Sequence, residues 1–300
     1  MGGRERARAQ RVRKVIVAGQ IEGDNPAPTD WEGETKTPLP MAPTSLPDAL
    51  FLQVTIAGVN IDNLTEDEAL ALIDKWIQQP GSHYMVVVNA AKLVESGRNA
   101  ELRRAIANAD LVTADGMSVV WTSRLFGHPL RQRVTGIDMF ERLVGKAADR
   151  SASVYFLGAR DESVERVVKR FTKDYPNLRV AGHRNGYFTD AEEASVVEEI
   201  KRSGADLLFA AMGSPKQDVW IHSHIAATGV RFALGVGGAF DHLSGLSRRA
   251  PKWMQRAGLE WLFRLLSEPR RLSRRYLVGN SLYIWLVVRQ LLGRGEPKPR

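Results

Sequence analysis

Residues 205–241 read ADLLFAAMGSPKQDVWIHSHIAATGVRFALGVGGAFD. Two short apolar runs, 205–211 and 230–236, flank a segment of helical length at 215–228. Each run gives way to glycine, Gly213 after the first and Gly237-Gly238 after the second. Near-continuous apolar strands joined through a helix belong to a parallel sheet covered on both faces, because the crossover lays a helix against the sheet. The same alternation extends backwards along the chain. Strands are predicted at 84–89, 110–114, 152–158 and 178–182, and helices at about 93–107, 117–126, 136–149, 162–174 and 191–203. Thr65 and Glu68 form a capping-box pattern that opens a further helix reaching about Gln79. The fold class is therefore α/β, a parallel sheet with helices on both faces.

In such sheets ligands bind beyond the carboxyl ends of the strands. The residues that follow the predicted strands are Asn89, Asp115-Gly116, Gly158-Ala159, Gly182, Gly213-Ser214 and Gly237-Gly238. All are polar or small, as a polar ligand lying along this edge requires. Asp115 has two readings. It is a general base that takes a proton from an attacking hydroxyl, or it is a plain helix N-cap. Gly213–Gln217 is a strand-to-helix turn with Pro215 at the first helical position. Its free N–H groups, the helix dipole and Lys216 attract phosphate, and Gln217 is within reach of a sugar or phosphate oxygen. An ordinary cap with an exposed lysine is the plainer alternative. Gly237 and Gly238 permit close backbone approach, and Asp241 is placed to hold ribose hydroxyls. Tyr187, after Gly186, is either a ring that stacks on a base or an ordinary surface or core tyrosine. Arg133, in the loop RQRVTG, is an anion ligand or a solvated arginine. The histidines are scattered, and no grouping with carboxylates suggests a metal. GxGxxG after the first strand and GxxxxGK[ST] are both absent, which disfavours a dinucleotide fold and a P-loop enzyme.

Charge divides the chain unevenly. Residues 248–300 hold 13 Lys/Arg against 3 Asp/Glu, a surplus of +10 that exceeds the +8 of the whole chain. The basic excess is therefore confined to the last sixth, and it calls for an anionic partner there. Residues 1–49, rich in Pro, Thr, Asp and Glu over their second half, are expected to be a disordered tail. Residues 50–245 form the predicted α/β core, and residues 246–300 a basic, Trp-rich, amphipathic helical appendage that associates with a membrane. No apolar run has the length of a membrane span, and the Arg-rich N-terminus lacks the apolar core of a signal peptide. A cytoplasmic protein attached to the inner face of the membrane is expected, with Tyr283 and Trp285 of the run 282–288 at headgroup level. A chain ending near Gly245 is expected to keep its core and gain solubility. The absence of cysteine excludes disulfide and thiolate chemistry.

Six ordered motifs resemble the WecG/TagA/CpsF family of bacterial glycosyltransferases. They are VVNA at 87–90, ADGM at 114–117, RVTG-D at 133–138, GSPKQ at 213–217, GVGGAFD at 235–241 and RRAPKWMQRAGLEWLFRLLSEPRR at 248–271. The resemblance covers roughly residues 54–276. It implies a Rossmann-like fold of the GT-E type and inverting transfer of a sugar, often N-acetylmannosamine. The implied donor is a UDP-sugar, the acceptor a polyprenyl-diphosphate-linked sugar, and no metal or other cofactor takes part. By position it makes Asp115 the base, with Arg133 and Gln217 in the pocket beside Asn89 and Gly136 of the matching motifs. Tyr187 and Asp241 fall near the uridine, close to Lys216, Gly237 and Gly238. Arg264, Arg271 and Arg274 match appendage arginines that complete the site over the diphosphate. Two positions depart from the family: Val87 replaces a frequent Thr, and Ser118 stands where Gly or Pro is common. Two other readings are a different nucleotide-cofactor enzyme of Rossmann type and a nucleic-acid binder acting through the basic tail. The missing glycine fingerprint opposes the first. The apolar stripe Leu259, Trp261, Leu262, Leu265 and Leu266 opposes the second, so no nucleic acid is expected.

Overall fold

The computed structural model describes residues 52–246, 250–251, 253–254, 260–267 and 269–293. The expected disordered tail at 1–49 lies outside them, and the appendage is described in part. The chain opens with an antiparallel hairpin, β1 (Gln53–Ile56) and β2 (Val59–Asp62). Ala57 and Gly58 turn it with φ of 51° and 76°, the left-handed pair that matches strand twist in a two-residue hairpin. The strands that follow are β3 (His83–Val88), β4 (Leu111–Ala114), β5 (Ser153–Gly158), β6 (Arg179–Arg184), β7 (Leu207–Ala211) and β8 (Phe232–Gly235). They make one parallel sheet of six in the order β4-β3-β8-β7-β5-β6.

Helix α1 (Glu66–Gln78) starts at the Thr65–Glu68 capping box, as its sequence predicts. After β3 the expected single helix is two, α2 (Ala90–Ser96) and α3 (Ala100–Ala107). The break falls at Gly97–Asn99, where the Asn99 side chain accepts from the Leu102 N–H at 2.9 Å and starts a new helix. Next come α4 (Met117–Leu125), α5 (Gly136–Arg150), α6 (Asp161–Asp174), α7 (Glu193–Ser203), α8 (Lys216–Thr228) and the short α9 (Ala239–Leu243). In the appendage, α10 (Glu260–Ser267) leads to the long α11 (Pro269–Leu291).

Two helical layers cover the sheet. On one face α2, α3, α7 and α8 pack together, with α11 laid on α2; on the other α1 meets α5, and α6 meets α9. Strand alternation feeds both layers. Tyr84, Val86 and Val88 of β3 enter the first core with Trp220, Tyr283 and Val287. The second core is built on phenylalanines: Phe140 lies 4.6 Å from Phe209 and 5.2 Å from Phe171, ring centre to ring centre. Asp62 secures the hairpin to the sheet by accepting from the Val112 N–H at 2.7 Å on edge strand β4.

The end of α11 departs from its predicted place. Tyr283 and Val287 are buried in the first core, and the Tyr283 hydroxyl donates to Thr122 Oγ1 of α4 at 2.9 Å. Gln290 closes the hairpin turn, accepting from the Ala57 N–H and donating to the Thr55 carbonyl, both at 2.9 Å. A tyrosine seated in protein is not at a lipid headgroup. The large apolar residues left outward are Ile284, Trp285, Val288 and Leu291, which share one side of the helix by their spacing, and Leu292 just past its end.

Candidate active site

From β3 onward the connections leave the carboxyl edge of the sheet alternately, while β4 sends its helix to the same face as β3. β3 feeds α2 on one face and its neighbour β8 feeds α9 on the other; β7 feeds α8 back on the first. Where neighbouring strands send their chains to opposite faces a crevice opens, and ligands of such sheets occupy it.

At one end of the crevice Asn89 and Asp115 head adjacent strands. Val88 pairs with Ala114 in register, and the Asp115 N–H continues the ladder to the Val88 carbonyl at 2.9 Å. Asn89 caps α2, its Oδ1 accepting from the Lys92 N–H at 3.0 Å. The N-cap of α4 is Gly116, one residue past Asp115. A Cβ at Gly116 would lie 3.5 Å from the Asn89 Cβ, so the two turns are in contact. Of the two readings of Asp115, the N-cap is thus set aside.

Loop 131–135 runs beside β4, with the Val134 N–H donating to Ala114 at 2.9 Å. This carries Arg133 to the Asp115 end and Thr135-Gly136 to the head of α5. A Cβ at Gly136 would lie 3.7 Å from Val87 and 3.9 Å from the Gly235 carbonyl, so this helix start faces β3 and β8. Val87 is buried against it. Arg133 is reached by the appendage: its Nη1 lies 3.7 Å from the Glu260 carboxylate of α10, with both side chains mostly buried.

At the other end the turns after β7 and β8 are fastened together by Gln217, only 3% exposed. Its Oε1 accepts from the N–H of Gly213 at 3.1 Å and of Gly237 at 3.0 Å. Gly235 has no Cβ because one would meet the Gln217 amide at 2.5 Å. Gln217 therefore holds the glycine pair, a part that its sequence reading as a direct ligand did not include. Gly237 and Gly238 face open space. Asp241 is exposed, with Oδ1 accepting from the buried Ser163 hydroxyl at 2.8 Å. Lys216 places its ammonium 4.6 Å from the Phe188 ring centre and 3.5 Å from the Gly186 carbonyl. Tyr187, 74% exposed, stands on the rim beyond β6; this excludes a core role and leaves its face open.

The predicted residues thus form two groups. Asn89, Asp115 and Arg133 lie around β4 and β3; Lys216, Gly237, Gly238, Asp241 and Tyr187 lie around β8, β7 and β6. Gly136 stands between them, facing Val87 and Gly235, and Gln217 belongs with the second. From β4 to β5 is four strand spacings, about 19 Å, room for an extended ligand. Arg264 lies on α10 and Arg271 and Arg274 on α11; their side chains fall outside the described residues. Three residues escaped the sequence reading: Lys92, Asp218 and Ser163. All are buried polar groups; Lys92 stands as a lone charge in the apolar run AAKLV, which was its only signal, and Asp218, two residues after Lys216, carried none. Among the described residues no group of three or more His, Asp or Glu is arranged to hold a metal.

This is the architecture of a doubly wound α/β enzyme with a polar-ligand crevice at its strand ends, and comparison with known proteins makes that class a glycosyltransferase. Residues 54–297 match the model of the Glycosyl transferase WecG/TagA/CpsF family, and the chain belongs to that family. It is 34% identical over 222 residues to an N-acetylglucosaminyldiphosphoundecaprenol N-acetyl-beta-D-mannosaminyltransferase of Bacillus spizizenii strain W23, covering 74% of this chain and 85% of that protein. It is 35% identical over 169 residues to the enzyme of the same name from Bacillus subtilis strain 168, covering 56% and 65%.

Proposed function

We propose that the protein transfers an N-acetylhexosamine, N-acetylmannosamine in the first instance, from a UDP-sugar to a polyprenyl-diphosphate-linked sugar in the synthesis of a cell-surface polymer. The names of the two relatives support the sugar and the lipid-linked acceptor. The observation that carries the reading is the juxtaposition of Asp115 and Asn89 at adjacent strand ends, with the glycine turns of the nucleotide end along the same crevice.

In this mechanism the Asp115 carboxylate takes the proton of the acceptor hydroxyl. The hydroxyl oxygen attacks the anomeric carbon from the face opposite UDP. The bond from that carbon to the diphosphate oxygen breaks, and its electron pair leaves with UDP. One displacement inverts the centre, and one base suffices. Arg133 at the crevice, with the appendage arginines, supplies the positive charge that the leaving diphosphate requires. Asp241, steadied by Ser163, takes the ribose hydroxyls, and Tyr187 stacks on the uracil. No metal or cofactor has a step in this reading.

The acceptor is anchored in lipid, so the enzyme works at a membrane surface, on the cytoplasmic side where UDP-sugars are made. No described helix is long and apolar enough to cross a membrane. The outward stripe of α11 supports peripheral attachment, with Trp285 55% exposed and the Arg289 guanidinium 5.4 Å from its ring centre. Nucleic acid is not a partner in this reading.

A donor screen tests the proposal. UDP-N-acetylmannosamine, UDP-N-acetylglucosamine and UDP-glucose are offered with a short-chain lipid-diphosphate-N-acetylglucosamine, with and without EDTA, and products are read by mass spectrometry. Transfer from the first donor, unaffected by EDTA and with inverted configuration, is expected. Transfer that stops with EDTA and returns with Mg²⁺ overturns the metal-free step. The absence of transfer from every donor overturns the reading as a whole.

A further inference from the structure

Two charged side chains just inside the crevice are almost wholly buried, and the transfer chemistry uses neither. Lys92 lies in the first turn of α2, three residues after Asn89. Asp218 lies in the first turn of α8, next to Gln217. Their side chains are 7% and 2% exposed, and Lys92 Nζ donates to Asp218 Oδ1 at 2.9 Å. The other carboxylate oxygen accepts from the Ser214 hydroxyl at 2.7 Å.

The strands that lead to these turns, β3 and β7, are not neighbours, since β8 lies between them. The ion pair spans that gap. Followed outward, the connection is continuous. The Asn89 side chain holds the Lys92 N–H, Lys92 holds Asp218, Asp218 holds Ser214, and the same turn reaches Gly237 through Gln217. One string of polar contacts thus links the acceptor end of the crevice to the glycine turn at the nucleotide end.

Stability alone does not account for such a pair. Taking two ions out of water costs several kcal/mol each, and apolar replacements of similar volume are often as stable or more so. What a short, charge-assisted contact provides is fixed geometry. We propose that Lys92 and Asp218 are positioning residues of the transfer site, whose buried pair sets the spacing between the Asn89 turn and the Gly213–Gln217 turn and so the width of the crevice that receives the UDP-sugar. The proposal rests on the function given above.

The test uses the full chain carrying Lys92→Met together with Asp218→Leu, which removes both charges and keeps apolar volume. Melting temperature, UDP affinity by calorimetry, and kcat and KM for transfer are compared with the wild type. The double variant is expected to melt near the wild-type temperature. Its UDP affinity should fall about fivefold or more and its kcat about tenfold or more, the scale of a sub-ångström to ångström misplacement. A pair with a merely structural role moves only the melting temperature, so wild-type UDP affinity and kcat in the folded double variant overturn the proposal. If the double variant does not fold, Ser214→Ala decides. It removes the charge-assisted hydrogen bond that ties the Asp218 carboxylate to the Gly213–Gln217 turn and leaves the Lys92 contact in place. Reduced kcat with unchanged melting supports the proposal, and unchanged kcat and UDP affinity overturn it. A wild type that binds UDP but transfers no sugar overturns the function alone, since UDP affinity still reads the crevice. A wild type that does not bind UDP overturns both.

Discussion

Asp115 stands at a strand end, outside the first turn of the helix that follows it, and this small displacement changes what the residue can do. The sequence ADGM left both base and cap open, because Asp serves both. The backbone gives the N-cap position to Gly116, which removes the plain N-cap reading. Asp115→Asn is accordingly expected to leave the fold and UDP affinity unchanged while lowering turnover about 10²-fold or more, measured by steady-state kinetics beside calorimetry. A second residue ties stability to pH. His222 Nδ1 lies 3.0 Å from the Tyr84 hydroxyl, and burial lowers its pKa from the ordinary value. The unfolded chain therefore binds the proton more readily than the folded one. The contribution of the neutral imidazole is present above about pH 6.5 and is lost as pH falls through the lower folded value. Denaturant unfolding across this range should show stability declining on the acid side, with a flatter profile in His222→Gln. Unchanged profiles in the two proteins would show that another group titrates. Lys92 and Asp218 were illegible for a plain reason: a buried charge has its partner only when another element supplies it.

At the scale of elements, six parallel strands and their crossovers were legible because buried strands and amphipathic helices leave distinct periods. The hairpin 53–62 was not, since its turn at Ala57-Gly58 lacks the Asn-Gly or Asp-Gly signal. The break between α2 and α3 was also missed, because Asn99 reads equally as a helix interior residue or a cap. Helix α11 is the instructive case. Its sequence combines arginines, aromatics and aliphatics in a way that suits a lipid surface, yet period alone does not say which of its sides meets protein. Tyr283, Val287 and Gln290 turn inward. Burial pushes the Tyr283 hydroxyl up to about 12, in keeping with a neutral phenol that donates to Thr122. Tyr283→Phe is expected to cost about 1 kcal/mol, the net worth of one buried hydrogen bond, by denaturant unfolding. A loss within error of zero would mean that the ring alone docks the helix.

For the whole molecule, the docked helix revises what truncation should do. A chain ending at Gly245 loses Tyr283 and Val287 from a core, each worth about 1.5–3 kcal/mol of burial, and opens apolar surface on α2 and α4. Lower melting temperature and a greater tendency to aggregate are expected, contrary to the gain in solubility that composition suggests. Equal or higher melting would show that the core stands without α11. Surface changes at Ile284, Trp285 and Val288 to Ser, which leave the inward side intact, are the cleaner probe of attachment. In flotation with anionic vesicles the wild type should rise at low salt and less at high salt, and the triple variant should stay at the bottom while keeping its melting temperature. Flotation equal to the wild type would remove α11 from the membrane contact.

Order along the chain was enough for the layered α/β architecture and for the carboxyl edge of the sheet along which the candidate residues lie. Local physics governs those features: apolar periods, caps, and glycine after strands act within a few residues of one another. Tertiary structure alone decided which groups meet. It gave Asn89 and Asp115 adjacent strands, turned Gln217 inward to hold two glycine turns, joined Lys92 to Asp218 across 126 positions of sequence, and divided α11 into an inward and an outward side. Such pairings depend on the path of the chain through a sheet whose spatial order, β4-β3-β8-β7-β5-β6, differs from its sequence order. No local propensity encodes that path, because it is set by the cooperative burial of both faces of the sheet.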